Sequence, residues 1–395
     1  MPLKVGVLTT HPIQYQVPWF RLLAQEPTID LRVFYCLLPT AAQQGDGFGV
    51  AFEWDIPLLD GYQYQVLTNV AQTPSVTSFN GCDTPEIFAM VKGQPWDAFI
   101  VNGWVAKSCL QLLLSCRLHQ VPCIVRGESN NLSLRPGWKR QLQRLLIGQY
   151  SAYLPIGSAN RQFYLDAGVR SEKLFFTPYC IENKRFADQA DNLRGQKLAL
   201  REKFHLDPHG ITFLYCAKFV DKKRPLDLLQ AIAELKEQGK ATGQVLMVGD
   251  GTLRPACEVL VKEHNLPVQF TGFLNQAEIV AAYVAADCLV LPSDAGETWG
   301  LVVNEAMACG LPAIVSNQVG CHADLIVPER TGWTYPLGEI TQLGDRLTTA
   351  INLGSPGLTA WAKTPSKKLW QSITIKRLWL VLAKPSTSSA ANMYF

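Results

Sequence analysis

Short apolar runs alternate with amphipathic stretches along nearly the whole of this 395-residue chain, and that alternation constrains its fold most. The first half offers Lys4–Thr9, Leu31–Cys36, Ala98–Asn102, Cys123–Val125 and Ala152–Ile156. The second half offers Thr212–Ala217, Gln244–Val248, Val268–Thr271, Cys288–Leu291 and Ala313–Ser316. Runs apolar at every position suit strands buried on both faces, and helical patterns between them imply parallel sheets built from crossover units. Ten strands in one sheet would be unusual, so the α/β chain divides. The polar segment 183–209, with the turn signal Asp207-Pro208-His209-Gly210, separates a first domain (1–185) from a second (186–345). Residues 346–395 stand apart as an atypical basic tail.

Composition narrows the classes. Hydrophobic residues make up 48% and charged residues 17%, which suits a globular, core-rich chain. A net charge of +3 is too small to argue for a nucleic-acid partner. The eleven cysteines form no Cys-x-x-Cys pair, and Cys36, Cys123, Cys216 and Cys288 fall inside apolar runs. They read as small core residues in a reducing cytosol, not as disulfides or a zinc site. The amino end runs straight into a strand with no signal-peptide pattern. Asp287 and Pro292 interrupt the longest candidate for a membrane span.

Residues 288–312 carry the most chemistry. After the strand Cys288–Leu291 comes a glycine-containing turn, then a short helix that Gly310 and Pro312 stop. Ligands of open α/β sheets bind where a strand's carboxyl end meets a helix's amino end. The backbone N–H groups around Gly300, Leu301 and Val302 suit a phosphate there. Glu297 and Glu305 bracket the turn. A carboxylate beside a phosphate is repelled by it, so hydrogen bonds from sugar hydroxyls are its natural task. Two acids near the positive end of a helix are also favoured by the macrodipole alone.

The pattern Ser293-x-x-x-Glu297-x-x-Gly300-Leu301-Val302-x-x-Glu305-Ala306-Met307-Ala308-x-Gly310-x-Pro312 resembles retaining glycosyltransferases of the family 4 type, within glycosyl transferases group 1. The resemblance implies the GT-B fold, two Rossmann-like domains facing a central cleft. It implies transfer of a hexosyl unit from a nucleotide diphosphate sugar to a hydroxyl acceptor, with retention. By it, Glu305 holds the ribose hydroxyls, Glu297 contacts the donor sugar, and the amides at Gly300 and Leu301 meet the diphosphate. No cofactor is expected beyond the donor. With no Asp-x-Asp pair in the chain, lysines are expected in place of a metal.

Those lysines follow the second domain's first strand, in Cys216-Ala217-Lys218-Phe219-Val220-Asp221-Lys222-Lys223-Arg224. Two ammonium groups at a strand's carboxyl end can stabilise a departing diphosphate. The family usually has an arginine where Lys218 stands, and Lys223 matches its lysine; a lysine keeps the charge but loses the bidentate fork. Gly249 and Gly251, in Val248-Gly249-Asp250-Gly251, fail the dinucleotide fingerprint because Arg254 replaces its third glycine. The resemblance places this turn along the nucleotide cleft and Phe273 near the base; a tight turn is the plainer reading of both.

In the first domain, Thr10-His11-Pro12-Ile13-Gln14-Tyr15 replaces the usual glycine pair, and His11 is placed on the opposite lip of the cleft. Glu128, in Arg126-Gly127-Glu128, takes roughly the place where relatives carry a sugar-contacting histidine. Trp104 is expected to pack locally. Residues 135–146, with Trp138 among arginines and lysines, read either as a membrane-surface helix or as a helix packed by Leu142, Leu145 and Leu146. Family members with lipid-linked acceptors often dock this way. A saccharide or lipid-linked acceptor, an anionic membrane surface as a further partner and a cytoplasmic, peripheral location are therefore expectations, with cell-surface polysaccharide or glycolipid synthesis as the setting. The tail lacks acids after Asp345 and carries Trp361, Trp370 and Trp379 with Pro356, Pro365 and Pro385, so the family's closing helix is not expected in its usual form. A nucleotide-sugar epimerase of the same fold, or an idle binding protein, remain the alternatives.

Overall fold

A computed structural model of the chain describes residues 1–47, 49–132 and 137–362. Twelve strands form two sheets. The first comprises β1 (Leu3–Thr9), β2 (Ile29–Tyr35), β3 (Gln63–Val66), β4 (Ala98–Asn102), β5 (Cys123–Arg126) and β6 (Ala152–Tyr153). The second comprises β7 (Thr212–Cys216), β8 (Gln244–Val248), β9 (Val268–Gly272), β10 (Cys288–Leu291), β11 (Ala313–Ser316) and β12 (Gly332–Tyr335). The spatial orders are β3-β2-β1-β4-β5-β6 and β12-β11-β10-β7-β8-β9, and the paired strands are parallel throughout. Both are the doubly wound Rossmann order, read from opposite edges. In each, strand order reverses once, between β1 and β4 and between β7 and β10.

Side-chain alternation explains why the runs are apolar on both faces. Val5, Val7, Val33, Ile100 and Ile124 fill one face of the first sheet, while Leu8, Phe34, Phe99, Val101 and Val125 fill the other. The second sheet repeats this, with Phe213, Tyr215, Val245, Met247 and Val290 against one helical layer and Leu214, Leu246, Val248, Leu289 and Leu291 against the other. All eleven cysteines are free, and all but Cys180 are buried.

Two edge strands go beyond the sequence reading. Gln63–Val66 is exposed along its length and carries no apolar run. Gly332–Tyr335 opens with a glycine in a conformation that reads as a turn (φ 149°). The chain end differs as well. A helix, Ile340–Ala362, continues through what the sequence set apart as tail, kinked at Gly354 with Pro356 inside it. Leu343, Leu347, Ala350 and Leu358 bury it in the second domain's core, and Trp361 packs on Trp333 at 4.5 Å. Apolar spacing sustains this helix where acid–base alternation is missing. Trp370, Trp379 and the rest of 363–395 lie outside the described residues.

At the foot of β10, buried Asp287 accepts hydrogen bonds from Arg201 (2.6 Å), Lys197 (2.7 Å), Ser355 (2.7 Å) and the Thr212 amide (2.8 Å). Burial opposes its charge, but Lys197 and the other donors hold its carboxyl below the usual range.

Candidate active site

The carboxyl ends of both sheets meet across a cleft, and the loops at the two reversals of strand order face each other. From the second domain come the loop after β7, with Lys218 and Lys223, and the loop after β10, with Glu297. The Asp294 amide donates to the Lys222 carbonyl (2.9 Å), so the two loops are joined. Lys223 Nζ donates to Glu297 Oε2, and both side chains are largely buried. Burial, then the charge of Lys222, pushes the Lys223 ammonium down to about 7.

The helix Leu301–Ala308 begins here. Its N-cap is Gly300, in the left-handed region (φ 98°), with no side chain to cap the first amides. A Cβ on Gly300 would come within 2.9 Å of Val319 and 3.0 Å of Leu291, so the turn is tight against the sheet. Leu301 and Val302 therefore start a helix whose first N–H groups have no intrahelical acceptors. Gly310, at φ 88°, ends it. Glu305, one turn in, is 5% exposed and accepts from Tyr283 Oη at 2.6 Å. Burial raises its carboxyl to about 7.

Gly249 and Gly251 serve packing at the cleft floor. A Cβ on Gly249 (φ 121°) would fall 2.1 Å from the Ala217 carbonyl oxygen, and one on Gly251 would fall 2.6 Å from that of Phe219. Both glycines thus let the turn after β8 lie against the loop that carries Lys218. Lys218 itself reaches across the cleft, where Nζ donates to the Asp46 carbonyl. Phe273 also meets the first domain, stacking on Phe52 with centroids 4.3 Å apart.

On the first domain's side, His11 follows β1. Thr10 Oγ1 lies 2.9 Å from its Nδ1, and burial lowers its pKa to about 4, which keeps the imidazole neutral. Glu128 follows β5. It accepts from Thr298 Oγ1 (3.2 Å), the residue next to Glu297, and shares a hydrogen bond with Tyr15. Burial raises its pKa while Arg126 draws it back. The Arg126 guanidinium is buried, 4.7 Å from the Tyr179 ring centroid. Trp104 packs against Phe163 and Tyr164, as expected. A cavity of about 560 Å³ opens beside Asp46 and Gly47, lined also by Leu37, Gln43, Ser75 and Thr77.

The sequence reading brought together Lys223, Glu297, Gly300 and Glu305. It passed over Tyr283, whose run Ile279-Val280-Ala281-Ala282-Tyr283 reads as core. It also passed over Arg185, which donates to Gln276 Oε1 at 2.5 Å, and Phe52, which lies in an irregular loop. None of these carries a local motif.

Two Rossmann-like domains with their strand-order reversals facing one cleft define the GT-B architecture. Residues 196–363, in the second domain, match the family model described as glycosyl transferases group 1. The N-acetyl-alpha-D-glucosaminyl L-malate synthase of Bacillus anthracis is 29% identical over 162 residues, 41% of this chain and 41% of that protein. The D-inositol 3-phosphate glycosyltransferase of Rhodococcus jostii (strain RHA1) is 34% identical over 175 residues, 42% of this chain and 38% of that protein. The chain thus aligns with about two-fifths of the length of these relatives. Anabaena Alr3699/HepE, solved in complex with UDP, superposes with a TM-score of 0.67 at 15% identity, covering 97% of this chain and 98% of that one.

Proposed function

We propose that the chain is a retaining glycosyltransferase of the family 4 type, moving a hexosyl unit from a nucleotide diphosphate sugar to a hydroxyl acceptor. The observation that carries this reading is the Lys223–Glu297 pair beside the Gly300 helix start, with buried Glu305 one turn further in. Each group then has one task. Glu305 accepts the ribose hydroxyls. The Leu301 and Val302 amides take the diphosphate. Lys223 moves from Glu297 to the phosphate, and Glu297 is released to the sugar hydroxyls. Lys218 exchanges the Asp46 carbonyl for the diphosphate and, with Lys223, stabilises the charge that develops as the bond from the anomeric carbon to the phosphate oxygen breaks. The acceptor oxygen bonds to that carbon from the same face and gives its proton to the departing phosphate. His11 and Glu128 line the acceptor's side. This needs no metal or organic cofactor.

Surface exposure supports a membrane partner. In the helix Gly137–Ile147, Trp138 is 64%, Leu142 59% and Leu145 67% exposed. Their i, i+4, i+7 spacing makes one apolar stripe, flanked by Lys139, Arg140 and Arg144. Packing by Leu142 and Leu145, the alternative from sequence, is not what the structure shows; Leu146 and Ile147 hold the helix to the core. Among the described residues no helix is long and apolar enough to cross a membrane. A lipid-linked acceptor in polysaccharide or glycolipid synthesis, reached from the cytoplasmic face, fits such a surface.

Screening nucleotide diphosphate sugars by thermal shift identifies the donor, because a ligand of the native state raises stability by mass action. NMR of the product of that donor and an acceptor then reads the anomeric configuration. Inversion, or no shift with any donor, would refute the proposal.

A further inference from the structure

We propose that Phe52 of the first domain completes the nucleobase site of the second, forming with Phe273 an aromatic platform on which the base of the donor nucleotide stacks. The inference rests on the donor reading given above. Glu305 holds Tyr283, which lies on the helix Ile279–Ala285. That helix follows Gln276, which Arg185 grips through its side chain and its carbonyl oxygen (3.1 Å). The resemblance behind the donor reading puts the base near Phe273, just past the carboxyl end of β9.

There the first domain supplies a strap. The Glu53 carbonyl accepts from Asn275 Nδ2 (2.7 Å), and Asp55 Oδ2 accepts from the Ala277 amide (2.9 Å). Phe52 lies on Phe273 with a 31° tilt, and Trp54 meets Phe52 edge-on at 4.9 Å. All three rings are only partly buried, unlike the aromatic residues of the two cores. Two polar anchors fix the strap while its rings stay at the cleft mouth. That is the arrangement of a stacking platform: any base has a flat face to offer, and stacking tolerates differences among bases.

The test is calorimetric titration of Phe52→Ala with uridine and guanosine diphosphates, and with inorganic pyrophosphate as the base-free probe. Affinity for whichever nucleotide the wild type binds should fall roughly tenfold, the scale of one lost base–aromatic stack. Pyrophosphate affinity should not change. Phe52→Leu keeps apolar bulk at the domain contact but removes the ring, and should show the same selective loss if Phe52→Ala folds poorly. Nucleotide affinity unchanged or raised, or an equal loss for pyrophosphate, would overturn the stacking platform and leave Phe52 as domain packing. Glu305→Gln, titrated alongside, separates the two failures: if it weakens the nucleotide while the Phe52 variants do not, the donor reading stands and the platform falls. If neither weakens it, the donor reading falls as well.

Discussion

Glu305→Gln should improve the fold and damage the site. The carboxyl is 5% exposed and its pKa rises from 4.5 to about 7 on folding. Below 4.5 it is neutral in both states and contributes no pH dependence. Between 4.5 and about 7 the folded chain keeps a proton that the unfolded chain has lost, so stability falls as pH rises and levels off above 7. Each pKa unit is about 1.4 kcal/mol, so the charged carboxylate costs the fold up to about 3 kcal/mol above pH 7. Glutamine keeps the shape and can still accept from Tyr283, without the charge. Urea denaturation should therefore show the variant more stable than wild type at about pH 8, with the gap closing toward pH 4. Nucleoside diphosphate binding should weaken by about 1.5–3 kcal/mol, because charge-assisted bonds from the ribose hydroxyls are lost. Glu297→Gln should leave the bare nucleotide nearly unaffected and lower turnover with the full donor. A Glu305→Gln protein that is less stable at about pH 8, or that binds the bare nucleotide as wild type does while Glu297→Gln loses it, would refute this assignment.

Lys223→Ala should cut turnover by about a hundredfold or more and weaken nucleoside diphosphate binding, as steady-state kinetics and titration would show. Activity should survive a strong chelator, the charge at the diphosphate being carried by Lys218 and Lys223; loss restored by magnesium or manganese would contradict this. The protein should sediment with anionic vesicles and release as salt screens the attraction over a Debye length of about 8 Å at physiological ionic strength. Trp138→Ser with Leu142→Ser should abolish that sedimentation while leaving circular dichroism unchanged.

The strands at the centre of each sheet were legible because burial on both faces keeps their middles apolar, as in Cys288–Leu291. The outer strands were not. Gln63–Val66 sits at an edge in water, where nothing demands apolar residues, and Gly332–Tyr335 is disguised by its opening glycine. The same division runs through the site. Gly300, Glu297 and Glu305 could be read because strand end, turn and helix start are contiguous in sequence. Glu128 with Thr298, Phe52 with Phe273 and Arg185 with Gln276 are separated by 91 to 221 positions or thereabouts, and only folding brings them together. The helix Ile340–Ala362 was hard to read for a different reason: its support comes from Leu343, Leu347 and Leu358 in the core, not from acid–base pairs along its surface.

Asp287 sets the limits of any fragment meant to fold as the second domain alone. Its oxygens are satisfied from three separated stretches of chain: Lys197 and Arg201 ahead of β7, Thr212 at the start of β7, and Ser355 near the far end. A fragment starting at residue 207 would strand a buried carboxylate without its two cations, a loss on the scale of about 3–5 kcal/mol for a broken buried pair. A fragment stopping at residue 345 would remove Ser355 and, with Leu347, Ala350 and Leu358, one wall of the core. On a ribosome the consequence is temporal. The second sheet gains its last supporting contacts only when almost all of the described chain has emerged, whereas the first sheet's strands are complete by Tyr153.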